Sequence, residues 1–146
     1  MRNSSIMPQS VRRSRRCLHR RREGAATVEF ALVATTMFMI FFGAVEFSRL
    51  NQVVNATANA AYAGCRRLIV PGATAANATT DAQAMLSAGL VNGATITVSP
   101  NPITSTTTTV TVTVAVPMNS NGWTPASFTK NMTITRSCTL TREKTN

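Results

Sequence analysis

The side chains that could do acid–base or metal chemistry in this 146-residue chain are few and scattered. Its single histidine, His19, lies in an arginine-rich stretch near the amino terminus, so nothing downstream can complete a His-dependent triad. None of the five carboxylates has the spacing that places two of them on one metal ion. The composition therefore predicts no enzyme, and it calls for no metal ion or other cofactor.

Positive charge is concentrated at the amino-terminal end. The formal net charge is +10 at pH 7, and eight of the fifteen Lys and Arg residues precede Gly24. This arm has neither the interleaved aromatic residues nor the folded reader that nucleic-acid binding requires, so we expect no nucleic-acid partner. Because its charges repel one another and it has little apolar mass, the segment 1–24 is predicted to be disordered in water.

An apolar run follows the arm directly. Residues 25–45 contain no Lys or Arg and one charged residue, Glu29. A helix of this length spans about 30 Å, the thickness of the hydrocarbon core of a bilayer. The rival interpretation, a buried core helix, requires a larger protein around it than 146 residues provide. We therefore predict a transmembrane helix over residues 25–46, with the basic leader 1–24 in the cytoplasm and the remainder extracytoplasmic.

Glu29 is the unusual residue of this run. A carboxylate in a membrane helix costs about 2.5–3.5 kcal/mol on insertion scales, so it needs a partner. If the chain were cut after Gly24, the new α-amine of Ala25 would lie one helical turn from Glu29. The two charges would then neutralise each other, or the corresponding groups of a neighbouring subunit.

The basic leader, the glycine, the glutamate five residues later and the apolar helix together resemble a type IV prepilin. That resemblance implies cleavage between Gly24 and Ala25 by a membrane aspartic prepilin peptidase. More narrowly, GAATVEFALV and the later FFGAVEFSRL are similar to the signature of the TadE-like family, minor pseudopilins of the tight-adherence (Flp) pilus. The matching residues are Gly24, Glu29, Phe30, Phe42, Gly43, Glu46, Phe47 and Arg49. Ala25 replaces the phenylalanine of the commoner type IV pilins, so N-methylation of the new terminus is not implied.

The resemblance implies a structural and assembly role in a pilus or a related secretion system, without a reaction of its own. Its implied partners are the prepilin peptidase, other pilin and pseudopilin subunits, assembly platform proteins and the lipid bilayer. Its implied location is the inner membrane of a bacterium. One alternative is an ordinary export signal, cleaved near residues 61–63. Another is a single-pass envelope protein whose Thr/Val-rich domain binds a ligand.

The helix is predicted to continue beyond the membrane as an amphipathic extension over residues 47–70. Apolar residues recur at helical spacing on one face, and polar residues lie opposite. The apolar stripe is Val54, Ala58, Ala61, Cys65 and Leu68, and the polar stripe is Asn51, Asn55, Asn59, Tyr62 and Arg66. Glu46 and Arg49 are three residues apart and can pair on one face, where an exposed pair is worth less than about 1 kcal/mol.

Residues 71–146 are predicted to form an extracytoplasmic domain with a short helix and a sheet. Thr80 and Gln83 have the spacing of a capping box and predict a helix over residues 81–90. Beyond it, valine or isoleucine alternates with threonine, which is typical of half-buried antiparallel strands. The apolar face of that sheet needs the long helix as its cover. The predicted fold class is α+β, in which a transmembrane helix extends into an amphipathic helix packed on a small antiparallel sheet, as in pilins.

The connection over residues 117–129 carries the only tryptophan, Trp123. At about 13 residues it is long for a hairpin loop. It is either a contact loop or an Ω-loop packed against the domain.

Two cysteines, Cys65 and Cys138, remain if Cys17 leaves with the leader. Both are predicted on inward faces in an oxidising compartment. A disulfide between them would close a loop of about 74 residues and stabilise the fold by roughly 4 kcal/mol in the chain-entropy model. Two unpaired buried thiols are the alternative.

Overall fold

The computed structural model describes residues 9–123 and 129–142, with side chains from Gly24 onward. In chain order its elements are α1 (Gln9–Leu68), α2 (Ala75–Ala88), β1 (Thr95–Ser99), β2 (Thr109–Pro117), a 3₁₀ helix (Met118–Ser120) and β3 (Thr133–Thr141). The chain divides into two compact units, residues 1–41 and residues 42–146, and α1 contributes to both. The long apolar helix, the second helix and the small sheet confirm the predicted α+β class.

Helix α1 begins at Gln9 and not near Ala25, where the apolar run starts. The prediction of a disordered arm is therefore wrong for the backbone of residues 9–23, while residues 1–8 lie outside the described part of the chain. Arginine is among the better helix formers, and no proline interrupts the sequence from Gln9 until Pro71. Helical propensity along the arm thus accounts for the longer helix.

The sheet has the strand order β1-β2-β3 and is antiparallel throughout. The central strand, β2, alternates fully buried valines with half-buried or exposed residues. The buried valines are Val110, Val112, Val114 and Val116. This confirms the alternation read from the sequence, because side chains of a strand point to opposite faces in turn.

Helix α1 covers the valine face of the sheet. Its buried residues include Val53, Thr57, Ala60, Ala61, Cys65 and Leu68. The predicted apolar stripe is therefore wrong in part, because Ala58 is exposed and Val54 only half-buried. Thr57 explains the error: its hydroxyl donates to the carbonyl of Val53 at 2.6 Å, so a polar residue lies within the buried stripe. The predicted polar stripe is exposed, as expected.

Gly64 marks a close approach of α1 to the rest of the second unit. A Cβ at this position would lie 3.2 Å from the carbonyl oxygen of Ala78 in α2. It would lie 3.3 Å from a methyl group of Val112 in β2. The missing side chain therefore lets two helices and the sheet pack together at one point.

Helix α2 begins at Ala75, earlier than the predicted start at Asp81. Thr74 is the N-cap, and its hydroxyl accepts a hydrogen bond from the backbone N–H of Asn77 at 3.4 Å. Thr80, the expected cap, instead lies inside the helix, where its hydroxyl donates to a backbone carbonyl. Of the two threonines with capping potential, the earlier one, Thr74, caps the helix.

Candidate functional site

The first part of the candidate site lies on α1 between Gly24 and Phe30. Gly24, Ala25 and Glu29 are all exposed, and a Cβ at Gly24 would meet no atom within 4 Å. Because Ala25 and Glu29 are four residues apart, they lie on the same face of the helix, one turn from each other. The peptide bond predicted to be cleaved and the carboxylate predicted to pair with the new amine are thus both accessible.

Beyond Glu29, α1 exposes a continuous apolar surface. The large apolar side chains of residues 28–41 are 57–73% exposed. They are Val28, Phe30, Leu32, Val33, Met37, Phe38, Met39, Ile40 and Phe41. An 18-residue window of this helix has a mean hydropathy of 2.0, and none of the window is buried. By length and composition, this is a candidate membrane anchor.

The second part of the candidate site is formed by Gly43, Glu46 and Arg49, on the α1 segment that belongs to the second unit. The side chains of Glu46 and Arg49 are only 3% and 2% exposed. The prediction of an exposed surface pair is therefore wrong, because other segments of the unit pack over both side chains. Gly43 is half-buried, and a Cβ there would meet no atom within 4 Å.

Arg49 donates hydrogen bonds to four oxygen atoms. Its Nε donates to the carbonyl of Asn121 at 3.0 Å, and its Nη2 donates to the carbonyl of Leu90 at 2.6 Å. Its Nη1 donates to the carbonyl of Gly89 at 3.3 Å and to Oε1 of Gln52 at 3.0 Å. A planar guanidinium carries five donors in a fork, so it can bind several acceptors at once. Arg49 thereby joins α1 to the end of α2 and to the turn after the 3₁₀ helix.

Glu46 binds the far end of the connection between β2 and β3. Oγ1 of Thr129 donates to Oε1 of Glu46 at 2.6 Å, and both residues are buried. At the near end, the amide of Asn121 donates to the carbonyls of Asn92 and Pro117 at 2.9 and 2.8 Å. Residues 124–128 lie outside the described residues. Where it is described, the connection is held against the domain at Asn121 and Thr129, which are buried.

Trp123 lies over the guanidinium of Arg49. Its ring centroid is 5.0 Å from Cζ of Arg49, a distance typical of a cation–π contact. The tryptophan is nevertheless 61% exposed. The ring therefore covers one side of the buried cation and leaves most of its own surface free of contacts within the described protein.

The sequence of α1 from Gly24 onward also matches a known family. Residues 24–66 match the family model described as TadE-like protein. This segment of the chain, residues 24–66, is TadE-like. No curated protein and no solved structure matches the chain. The match supports a protein related to the Tad pilus.

The TadE-like segment includes every predicted site residue except Cys138. The groups that bind Arg49 from α2 and from the β2–β3 connection lie outside it, as does Thr129, which binds Glu46. The TadE-like helix thus supplies the two buried side chains and Gln52, and the rest of the second unit supplies the other partners described above.

The two cysteines predicted to form a bridge lie together as free thiols. Sγ of Cys65 donates to the carbonyl of Cys138 at 2.9 Å, and Cys65 is fully buried. Burial, together with the neighbouring thiol of Cys138, raises the pKa of Cys65 to about 11. A disulfide between the two stays a prediction.

Several partners of the site were not predicted from the sequence. Gly89, Leu90 and Asn121 bind Arg49 through backbone carbonyls, which every residue type has. Trp123 was recognised only as a loop residue, and its position over Arg49 follows from the tertiary fold. The nearest sequence signal was the Asn-Gly pair at residues 121–122, which is typical of a turn.

Proposed function

We propose that this TadE-like chain is a minor pseudopilin, a structural and assembly subunit of a tight-adherence pilus or a related secretion system. It is inserted in the inner membrane with residues 1–24 in the cytoplasm, and a prepilin peptidase cuts it after Gly24. Its helix then packs laterally with other pilin-type helices. The observation that carries this proposal is the TadE-like match, which begins at the cleavage glycine itself.

The apolar surface of α1 supports lateral packing. Because none of the most apolar window of the helix is buried, its side chains require either lipid or the helices of other subunits around them. In a bilayer, helices associate through close van der Waals packing and interhelical polar contacts, because lipid already solvates apolar groups. Gly43, which has no neighbour within 4 Å of a Cβ, leaves room for such an approach.

Glu29 would provide the polar contact between helices. Cleavage after Gly24 creates a positively charged amine on Ala25, one turn from the carboxylate. An ion pair within the apolar layer removes much of the cost of placing either charge there. In an assembled pilus, the carboxylate of one subunit can neutralise the amine of its neighbour, so Glu29 is expected to act in assembly more than in insertion.

The variant Glu29→Gln tests this role. We expect it to enter the membrane fraction at the level of the unaltered protein but to be lost from cross-linked assemblies with other pilus subunits, because an amide cannot neutralise the amine. Membrane fractionation and in-cell cross-linking measure the two quantities. Asp81→Asn is the matched control, since Asp81 is an exposed carboxylate on α2, and it should leave both quantities unchanged.

The alternative, an envelope binding protein tethered by its helix, gives a different result. A tether needs only hydrophobic length, so Glu29→Gln would be tolerated without any loss of partners. Equal cross-linking of the variant and the unaltered chain would therefore contradict the pseudopilin proposal and favour the tether.

A further inference from the structure

Trp123 is the only tryptophan of the chain, and it remains largely exposed beside a buried cation. It belongs to the described part of the β2–β3 connection, residues 121–123 and 129–132, named here the tryptophan loop. The loop is held to α1 through Asn121, which binds Arg49, and through Thr129, which binds Glu46. Its height along the helix is therefore fixed by two hydrogen bonds.

The loop is attached to α1 close to the point where the apolar run ends. Glu46 and Arg49 are one and four residues beyond Val45, which is at most about 6 Å along a helix. The polar headgroup layer adds roughly 5–8 Å to each side of the hydrocarbon core. The Cα–Cβ bonds of a helix tilt toward its amino terminus, which brings the Arg49 side chain closer to the apolar run. If residues 25–45 span the membrane, the tryptophan loop lies within the headgroup layer.

The exposed side chains of the tryptophan loop and of the neighbouring part of α1 are of types that favour the headgroup layer. Tryptophan is enriched at membrane–water interfaces because its ring is apolar and its N–H is polar. Phe47 and Met132 are also exposed, at 65% and 50%. Lys130 follows the bound Thr129 and is exposed, so its ammonium can reach a lipid phosphate.

We propose that the tryptophan loop contacts lipid, with Trp123 seated among the headgroups of the extracytoplasmic leaflet, and that it fixes the depth at which α1 stands in the membrane. Arg49 positions the ring, and Lys130 binds phosphate. The inference rests on the proposed membrane insertion of α1, and it assigns a lipid-binding role to a segment outside the TadE-like match.

Intrinsic fluorescence tests the proposal without any substitution, because Trp123 is the only tryptophan. The full chain is reconstituted at low protein density into vesicles of phosphatidylcholine and phosphatidylglycerol. Some of these lipids carry bromine either near the headgroup end or near the middle of the acyl chain. We expect a blue-shifted emission and a greater loss of intensity with the shallow bromine than with the deep one. Emission as in water without quenching by either lipid would overturn the proposal.

Two reporter variants separate this inference from the membrane span itself. In Trp123→Phe with Phe38→Trp, the reporter is in the apolar run, and the deep bromine should quench it most. In Trp123→Phe with Tyr62→Trp, the reporter is similarly exposed but about 20 Å farther along α1 than Arg49, so neither lipid should quench it. Deep quenching at residue 38 without quenching of Trp123 overturns the loop contact alone.

Two other outcomes would also overturn the lipid contact. Absence of deep quenching at residue 38 overturns the membrane span, and the loop contact with it. A blue-shifted Trp123 that neither brominated lipid quenches shows that protein, such as a second copy of the chain, covers the ring. That result overturns the lipid contact while leaving the span intact.

Discussion

Arg49 stabilises the second unit because it satisfies backbone carbonyls that secondary structure leaves without partners. The carbonyls of Gly89 and Leu90 lie just beyond the last turn of α2, where no further helical N–H is available to them. The carbonyl of Asn121 follows the 3₁₀ helix in the same way. Hydrogen bonds from a charged donor are worth about 1.5–3 kcal/mol each, and a buried acceptor left without one costs about 1–3 kcal/mol.

Replacing Arg49 by Met should therefore destabilise the second unit by roughly 3 kcal/mol or more, because methionine fills the volume but donates no hydrogen bond. Arg49→Lys should recover only part of the loss, since one ammonium cannot bind acceptors in a planar fork. The urea dependence of proteolytic cleavage in detergent measures the free energy of unfolding. Arg66→Met, at an exposed position of the same helix, is the control and should change it by less than about 0.5 kcal/mol. Equal values for the two variants would contradict this role.

Cys65 should be unreactive at neutral pH in the reduced, folded protein. Because burial raises its pKa from 9.0 to about 11, it holds about 100-fold less thiolate near pH 8 than an ordinary thiol. Alkylation with iodoacetamide, followed by peptide mass spectrometry, should show slow labelling at pH 8 that accelerates up to about pH 11. Labelling in urea should be fast and serves as the control. Peptide mass spectrometry of the protein prepared without reductant shows whether Cys65 and Cys138 form a disulfide.

The raised pKa of Cys65 also fixes the sign of a pH effect on stability. The unfolded thiol ionises at a lower pH than the folded one, so the neutral thiol contributes stability below pH 9 that is lost as the pH rises toward about 11. Cys65→Ala should lose less stability over that interval than the unaltered chain. If the free energy of unfolding fell equally with pH in the variant and in the unaltered chain, Cys65 would not contribute to the pH dependence of stability.

At the scale of elements, the end of α2 is a Schellman motif with an unfavourable residue in it. The N–H of Val91 donates to the carbonyl of Leu86, and the N–H of Leu90 donates to the carbonyl of Ser87. Val91 and Leu86 are both buried, which is the apolar contact of this motif. Leu90 occupies the left-handed position with φ 53, where glycine is preferred because a Cβ costs about 1–2 kcal/mol there.

Leu90→Gly should consequently stabilise the second unit by roughly 0.5–1 kcal/mol, the relief of strain less the extra freedom of glycine in the unfolded chain. Little burial is lost, because Leu90 is 67% exposed. Leu90→Ala is the matched control: it removes the same side chain but keeps the Cβ, so it should not stabilise. A gain for alanine equal to that for glycine would show that strain is not the cause.

The elements that could be predicted are those with a strong local signal. The apolar run and the valine alternation of β2 follow from hydropathy and period alone, because each buries or exposes its faces regularly. The predicted start of α2 was wrong because Thr74 and Thr80 are both suitable N-caps. The choice between them depends on how the helix packs. The segment from Gly24 to Arg49 was recognisable as a motif, whereas the burial of Arg49 depends on carbonyls 40 or more residues away.

In the whole molecule, the positive charge and the apolar surface lie in different segments of the chain. The formal charge of +10 comes mostly from the leader before Gly24, which the proposed maturation removes. In the proposed function, the exposed apolar helix that follows packs with lipid and other subunits. The buried pair of side chains at Glu46 and Arg49 attaches the domain where the apolar run ends.

The most direct test of this account is the amino terminus of the chain extracted from bacterial membranes, read by sequencing or intact mass. Gly24→Leu is the control, because a bulky residue before the scissile bond should leave the leader in place. We predict that the unaltered chain begins at Ala25, with its α-amine one turn from Glu29. An intact Met1, or a start near Gly64 as an export signal would give, would contradict it.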